Sequence, residues 1–183
     1  MKAITIPKLI GSWTALKLEY LDHYLQAYRN VTRGAQEAYY IDLFAGCGNC
    51  SLKRNGWPVE GSPWRALKVV PPFQGYFFIE KNRVLANHLN TCIQQESINN
   101  ARVLPGDCNG PKLDEVLSQT PRKALSFAFI DPSGLQLKWA TLERLANHRA
   151  GPWKMELLIL YPWDMVINRW IDLPSFAMAL TDF

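Results

Sequence analysis

Residues 39–49 read Tyr-Tyr-Ile-Asp-Leu-Phe-Ala-Gly-Cys-Gly-Asn. A short apolar run, Tyr39 to Ile41, meets Asp42 and then opens into Gly46-Cys47-Gly48. A buried parallel strand ends this way when the turn after it must let backbone approach a ligand closely. In open α/β sheets, ligands sit beyond the carboxyl ends of the strands, where the strand order reverses. A glycine turn after the first core strand marks that place.

The flanking sequence repeats the pattern. Upstream, Leu18, Leu21, Leu25 and Tyr28 recur at helical steps. They predict a helix over 13–33, with Ser12 as N-cap and Gly34 as its end. Downstream, Ser51 to Gly61 is polar, holds two glycines and a proline, and reads as a loop. Ser62-Pro63 is a helix start, the hydroxyl capping and proline at the first helical position, and Pro71-Pro72 stops the helix. Strands are expected over 75–79, 102–104, 125–130 and 157–161, and helices over 82–96, 111–119 and 139–148. A further helix over 163–170 is compatible with the pattern. Strands alternate with helices at βαβ spacing, and the strand runs are unbroken rather than alternating, as in a sheet covered on both faces. The fold expected is α/β: a Rossmann-like, doubly wound, mostly parallel sheet. It forms one domain over 1–183, with an N-terminal helical segment (1–35), a core (39–162) and a tail (163–183).

Composition narrows the class without naming a partner. With 183 residues, 48% hydrophobic and 20% charged, the chain is globular rather than disordered. A net charge of +4, with no Lys/Arg block, permits nucleic acid but does not argue for it. Lys53-Arg54 and Arg122-Lys123 read as solvated surface. Cys47 and Cys50 have the Cys-x-x-Cys spacing of redox and zinc sites. No second close cysteine pair and no nearby histidine accompany them, so turn filling is expected and metal is not. The lack of a leader-like segment or an apolar run near 18 residues leads to the expectation of a cytoplasmic protein without a membrane partner.

On such a sheet, four carboxylates fall at or near successive strand ends: Asp42, Glu80, Asp107 and Asp131. Glu80 can accept hydrogen bonds from both hydroxyls of a ribose, as in dinucleotide sites, and its cap-like position before Asn82 is compatible with that. Asp107 can accept from an adenine amino group. Asp42, just before the glycine turn, would repel a pyrophosphate and suit a cationic ligand. A dinucleotide wants bare amides and a helix N-terminus, and Gly46-x-Gly48-x-x-Ser51 does not complete the phosphate fingerprint. S-adenosylmethionine, cationic and without phosphate, tolerates acid at this rim.

Asp-Leu-Phe-Ala-Gly-x-Gly, the strand-two Glu, Gly-Asp after strand three and Asp-Pro after strand four resemble motifs of class I S-adenosylmethionine-dependent methyltransferases. More closely, the chain is similar to the three-Cys-motif partner protein family, through Thr14 and Lys17, Ile41-Asp-Leu-Phe-Ala-Gly46, Gly61-Ser-Pro63, Ile79-Glu80 and Phe129-Ile-Asp-Pro132. That family is named for a neighbouring protein that carries the three cysteines, a candidate partner. The resemblance implies S-adenosylmethionine as cofactor, held by Asp42, Phe44, Ala45, Gly46, Gly48, Glu80, Lys81, Asp107, Cys108 and Asp131. Asp131 and Pro132 would form the catalytic pair, orienting a nitrogen acceptor in nucleic acid. In an Asp-Pro-Pro-Tyr type site, the Asp side chain and a proline carbonyl hold the amino group while the aromatic stacks on a flipped base.

The chain departs from those patterns in two places. Ser133 follows Asp131-Pro132 where an aromatic or a proline is expected; Tyr161, Trp163 or Trp139 could supply the ring, although burial is the ordinary fate of each. Methyltransferases of this class usually carry two more strands after the fifth, and residues 164–183 leave room for one at most. No cysteine follows a proline, which argues against covalent methylation of carbon. Most of the seven tryptophans are expected in core or loop packing. Two alternatives stay open: a non-catalytic domain that binds another protein, and a nucleotide-dependent oxidoreductase, the weaker for its incomplete phosphate loop.

Overall fold

A computed structural model describes residues 8–35 and 37–161. Its main sheet takes five strands, β2 (Ala38–Asp42), β5 (Gly75–Glu80), β6 (Ala101–Pro105), β7 (Leu125–Ile130) and β8 (Glu156–Ile159), in the order β6-β5-β2-β7-β8. Every pairing in it is parallel. The first core strand therefore lies in the centre, and strand order reverses between β2 and β7. The turn leaving β2 sits at that switch point.

Both faces of the sheet are covered, and the alternation of side chains along each strand shows how. Tyr40, Phe78, Phe127 and Phe129 pack with Leu21 and Leu25 of α1 (Ser12–Val31), Ala66 of α2 (Ser62–Lys68), and Leu89 and Ile93 of α3 (Arg83–Gln95). Their strand neighbours Ile41, Phe77, Ala128 and Ile130 pack on the other side with Leu113 and Val116 of α4 (Pro111–Gln119) and Leu145 of α5 (Trp139–Ala146). Aromatic rings dominate the first face; Tyr40 stacks on Phe127 with centroids 5.8 Å apart. Arg29 is buried among them, donating to the carbonyls of Pro71 and Pro72 and lying over the Phe73 ring.

The expected elements form with corrected ends. α1 starts at Ser12 itself: Gly11 is the N-cap, and no side chain caps the helix. α5 stops at Ala146, and His148 lies beyond it, buried, with its ring Nε2 2.8 Å from the Thr120 carbonyl. The last strand runs over Glu156–Ile159, earlier than expected. The helix expected over 163–170 and the tail lie outside the described residues.

The segment read as a loop is a correction. Residues 49–52 and 58–60 form β3 (Asn49–Leu52) and β4 (Pro58–Glu60), an antiparallel hairpin, and β1 (Lys8–Ile10) joins β3 in parallel. The turn is closed by Gly56 N donating to Leu52 O, with Gly56 at φ +70°. Both hairpin strands are short and at most half-buried, so no apolar alternation betrays them.

The tryptophans are a second correction. Trp13, Trp57, Trp139 and Trp153 are all exposed. Trp139 shows the reason: the buried stripe of α5 runs through Thr141 and Leu145, four residues apart, and leaves position 139 off it.

Candidate cofactor and acceptor site

The glycine turn is shaped before any ligand arrives. Gly46 and Gly48 have φ of +66° and +77°, the left-handed region in which a Cβ is costly. A Cβ on Gly46 would meet nothing within 4 Å; one on Gly48 would lie 2.8 Å from Leu89 Cδ1 and 2.9 Å from Trp64 Nε1. The turn thus has an open end at 46 and a packed end at 48. Beyond Gly48 the chain enters β3 rather than a helix. The hairpin then returns to the same spot, where Gly61 N donates to Gly48 O at 2.7 Å and α2 begins.

Glu80, at the end of β5, ties the turn to the neighbouring strand. Its Oε2 accepts from Gly46 N at 2.8 Å and its Oε1 from Asn82 N at 2.7 Å. Each oxygen keeps a second acceptor position. The cap of α3 is Asn82 itself, whose side chain accepts from Val84 N and Leu85 N. Phe44 N donates to Asp42 and Ala45 N to Ile79 O, so the segment between β2 and the turn is fixed through its backbone.

Asp42 is fully buried at the end of β2. Burial pushes its carboxyl up to about 7; a hydrogen bond from the Ser62 hydroxyl and another from Phe44 N pull against that, and the charges of Asp131 and Glu80 add to it. The expected capping role of Ser62 is therefore corrected: the α2 N-cap is Gly61, and the hydroxyl turns to Asp42 instead. Burial and the neighbouring charges of Asp131 and Glu80 thus all favour the protonated form of Asp42.

Asp107 follows β6. Its Oδ2 accepts from Lys81 Nζ at 2.8 Å, and its Oδ1 from both the backbone N and the side-chain Nδ2 of Asn109. The Lys81 ammonium, with those amides, holds Asp107 below the usual carboxylate range. Cys108 is buried, and burial pushes its thiol up to about 12. Asp131, at the end of β7, meets a cation from across the molecule: Lys17 Nζ of α1 lies 2.6 Å from its Oδ1. Pro132 is buried and Ser133 exposed. Trp139 and Tyr161 are exposed rather than buried, and both follow strand ends on the ligand side of the sheet; Trp163 lies outside the described residues.

The strand ends thus bring the four carboxylates to one rim, and contacts there that were not foreseen include Ser62 on Asp42, Lys17 on Asp131, Glu80 on Gly46, and Lys81 and Asn109 on Asp107. Asp107-Cys-Asn-Gly does carry the local signal of an Asx turn. Among the described residues, no group of three His, Cys, Asp or Glu side chains could hold a metal. None of the helices there is long and apolar enough to cross a membrane. A groove of about 540 Å³ lies away from the rim, between α1, β4 and α2. Its charges are already matched, Arg65 with Asp22 and Lys68 with Glu60, and we read it as a seam between elements.

No protein-family model matches the chain, and no curated protein matches it in sequence. Among solved structures, "Putative methyltransferase yhhF from Escherichia coli" is similar at a TM-score of 0.50 and 20% identity, over 80% of this chain and 68% of that one. The likeness is one of fold, a Rossmann-like sheet. A hypothetical protein of Streptococcus pyogenes (TM-score 0.40, 20% identity, 66% of this chain and 64% of that one) and a protein of Legionella pneumophila (0.47, 16%, 66% and 57%) are also similar, too distantly to carry argument. The chain spans about two-thirds or less of the lengths of these three proteins.

Proposed function

We propose that the chain binds S-adenosylmethionine and transfers its methyl group to a nitrogen, with nucleic acid as the favoured substrate class. The observation that carries this reading is the convergence of Asp42, Glu80 and Asp131 around a pre-shaped glycine turn. The donor set suits such a ligand. Asp42 and its neighbours complement ammonium and sulfonium charge, Glu80 retains acceptor positions for ribose hydroxyls, and Asp107 can take an amino group. Gly46 leaves open space for a close approach. The same acids disfavour a pyrophosphate, and the turn runs into a strand instead of a helix N-terminus, which counts against the oxidoreductase reading.

S-adenosylmethionine supplies, when bound, an electrophilic methyl group on sulfur. The chain's own work is positioning. Asp131 accepts a hydrogen bond or a proton from the acceptor nitrogen, Pro132 fixes the carboxylate's approach, and Lys17 holds that carboxylate in place until the acceptor arrives. Exposed Trp139 or Tyr161 could stack on a base in place of the missing ring at position 133. Kinship with three-Cys-motif partner proteins is the finer form of this proposal and rests on the motif residues alone.

Lys17 on Asp131, together with Ser133, favours a second reading: a domain that keeps the fold, with or without the cofactor, but acts by binding another protein. A thermal-shift titration with S-adenosylmethionine, with NAD as control, tests the cofactor on which the first reading depends, and methyl transfer then separates the two. Saturation near 100 times the dissociation constant should stabilise by about 2.7 kcal/mol, a rise of roughly 5–10 °C for a domain this size. No rise with S-adenosylmethionine would overturn the proposal. In the active case, Glu80→Ala weakens binding, whereas Asp131→Ala leaves cofactor affinity nearly unchanged and abolishes transfer of labelled methyl to nucleic acid.

A further inference from the structure

Asn109 uses every hydrogen-bonding position of its side chain. Nδ2 donates to Asp107 Oδ1 at 3.0 Å and to Gln136 O at 2.7 Å; Oδ1 accepts from Lys138 N at 2.9 Å and from Thr141 Oγ1 at 2.7 Å. Its backbone N donates a further bond to Asp107 Oδ1 at 2.9 Å. An amide has two donors and two acceptor positions, so nothing is left over. The partners come from the turn after β6, the far end of the segment that starts at Asp131, and the first turn of α5. Thr141 is itself buried.

We propose that Asn109 is a positioning residue that aims Asp107 at the exocyclic amino group of the cofactor's purine and so sets the base specificity of the site. The inference rests on the S-adenosylmethionine reading above. Two N–H groups, both from Asn109, hold Oδ1, which fixes the plane of the carboxylate. Oδ2 accepts from Lys81, whose side chain is 79% exposed and so can be displaced by a ligand. A carboxylate turned freely could meet the ring at any angle; one pinned at Oδ1 presents a single acceptor in a fixed direction. The same amide grips Gln136 and Lys138, so the segment that begins with Asp131 ends on the residue that orients the purine's acid. The two halves of the rim share one support.

The test is binding, not turnover. Isothermal titration compares S-adenosylhomocysteine with its analogue carrying hydrogen in place of the 6-amino group. The native chain should favour the amino form about tenfold, as expected for a hydrogen bond to a charged group. Asn109→Ala should reduce that preference to about twofold while leaving affinity for the deamino analogue nearly unchanged. Thr141→Val, which removes one of the bonds that hold the amide, should give an intermediate ratio and serves if Asn109→Ala does not fold. An equal loss for both ligands, an unchanged ratio, or a native chain that binds both equally would overturn the role of Asn109. Failure of the native chain to bind either ligand would instead remove the cofactor reading on which it rests.

Discussion

Gly46 and Gly48 are two residues apart in one turn, yet the structure gives them different fates on substitution. Consider alanine at each. Both positions lie at positive φ, where a Cβ costs about 1–2 kcal/mol. At 46 the added methyl meets no atom within 4 Å, so strain is the whole stability cost. At 48 it would approach Leu89 Cδ1 and Trp64 Nε1 at 2.8 and 2.9 Å, and Leu89 is fully buried. Overpacking of that kind adds about 1–3 kcal/mol. Gly48→Ala should therefore cost roughly 2–5 kcal/mol and lower the melting temperature by about 5–15 °C. Gly46→Ala should stay near the strain cost alone. Equilibrium urea unfolding of both variants, with the slope checked for constancy, reads the difference directly. Ligand affinity should show the opposite order, since the methyl at 46 enters the open side of the turn. Equal destabilisation by the two substitutions would refute the packing argument.

Two further perturbations address the acids. Asp42 has a folded pKa raised from 3.8 to about 7 by burial. A raised carboxyl means that the folded state holds the proton more tightly than the unfolded chain. The associated stability is therefore present below about pH 4 and is lost as pH rises through about 7, a loss of order 4 kcal/mol at 1.36 kcal/mol per pH unit. Asp42→Asn should flatten that part of the pH–stability curve and be more stable than the native chain at pH 8; an unaltered curve in urea titrations from pH 4 to 8 would contradict the assignment. Lys17 and Asp131 are each about one-fifth exposed, so their pair lies between the surface and buried limits. Lys17→Met should cost roughly 1–2 kcal/mol, and a double-mutant cycle with Asp131→Asn should recover about 1 kcal/mol of coupling; additive costs would mean that the pair contributes nothing.

What could be read from residues alone followed burial and backbone. β2, β5 and β7 are continuous apolar runs because both faces of the sheet are covered, and that pattern survives without knowledge of neighbours. The carboxylates at the strand ends were legible for the same reason: once strands are parallel, their ends share a side. The β3–β4 hairpin was not legible, because strands this short and never fully buried carry no periodic signature. Lys17 on Asp131 was beyond reach in another way. It spans 114 positions and depends on α1 crossing the sheet next to β7. Ser62 was misread because a hydroxyl before Pro63 satisfies the rule for a cap equally well, and only the fold shows the buried Asp42 competing for it.

The central place of β2 has a consequence during synthesis. Its partner on one side, β5, begins at Gly75, but its partner on the other, β7, starts only at Leu125. About 80 residues therefore leave the ribosome between the end of β2 and the start of the strand that closes its second edge. At about 5–20 residues per second that is a wait of roughly 4–16 s. Through that interval a strand apolar on both faces offers an open ladder of N–H and C=O groups to any extended chain nearby. The ordering that sets the ligand rim at the middle of the sheet is thus also what leaves the nascent protein most exposed to mispairing.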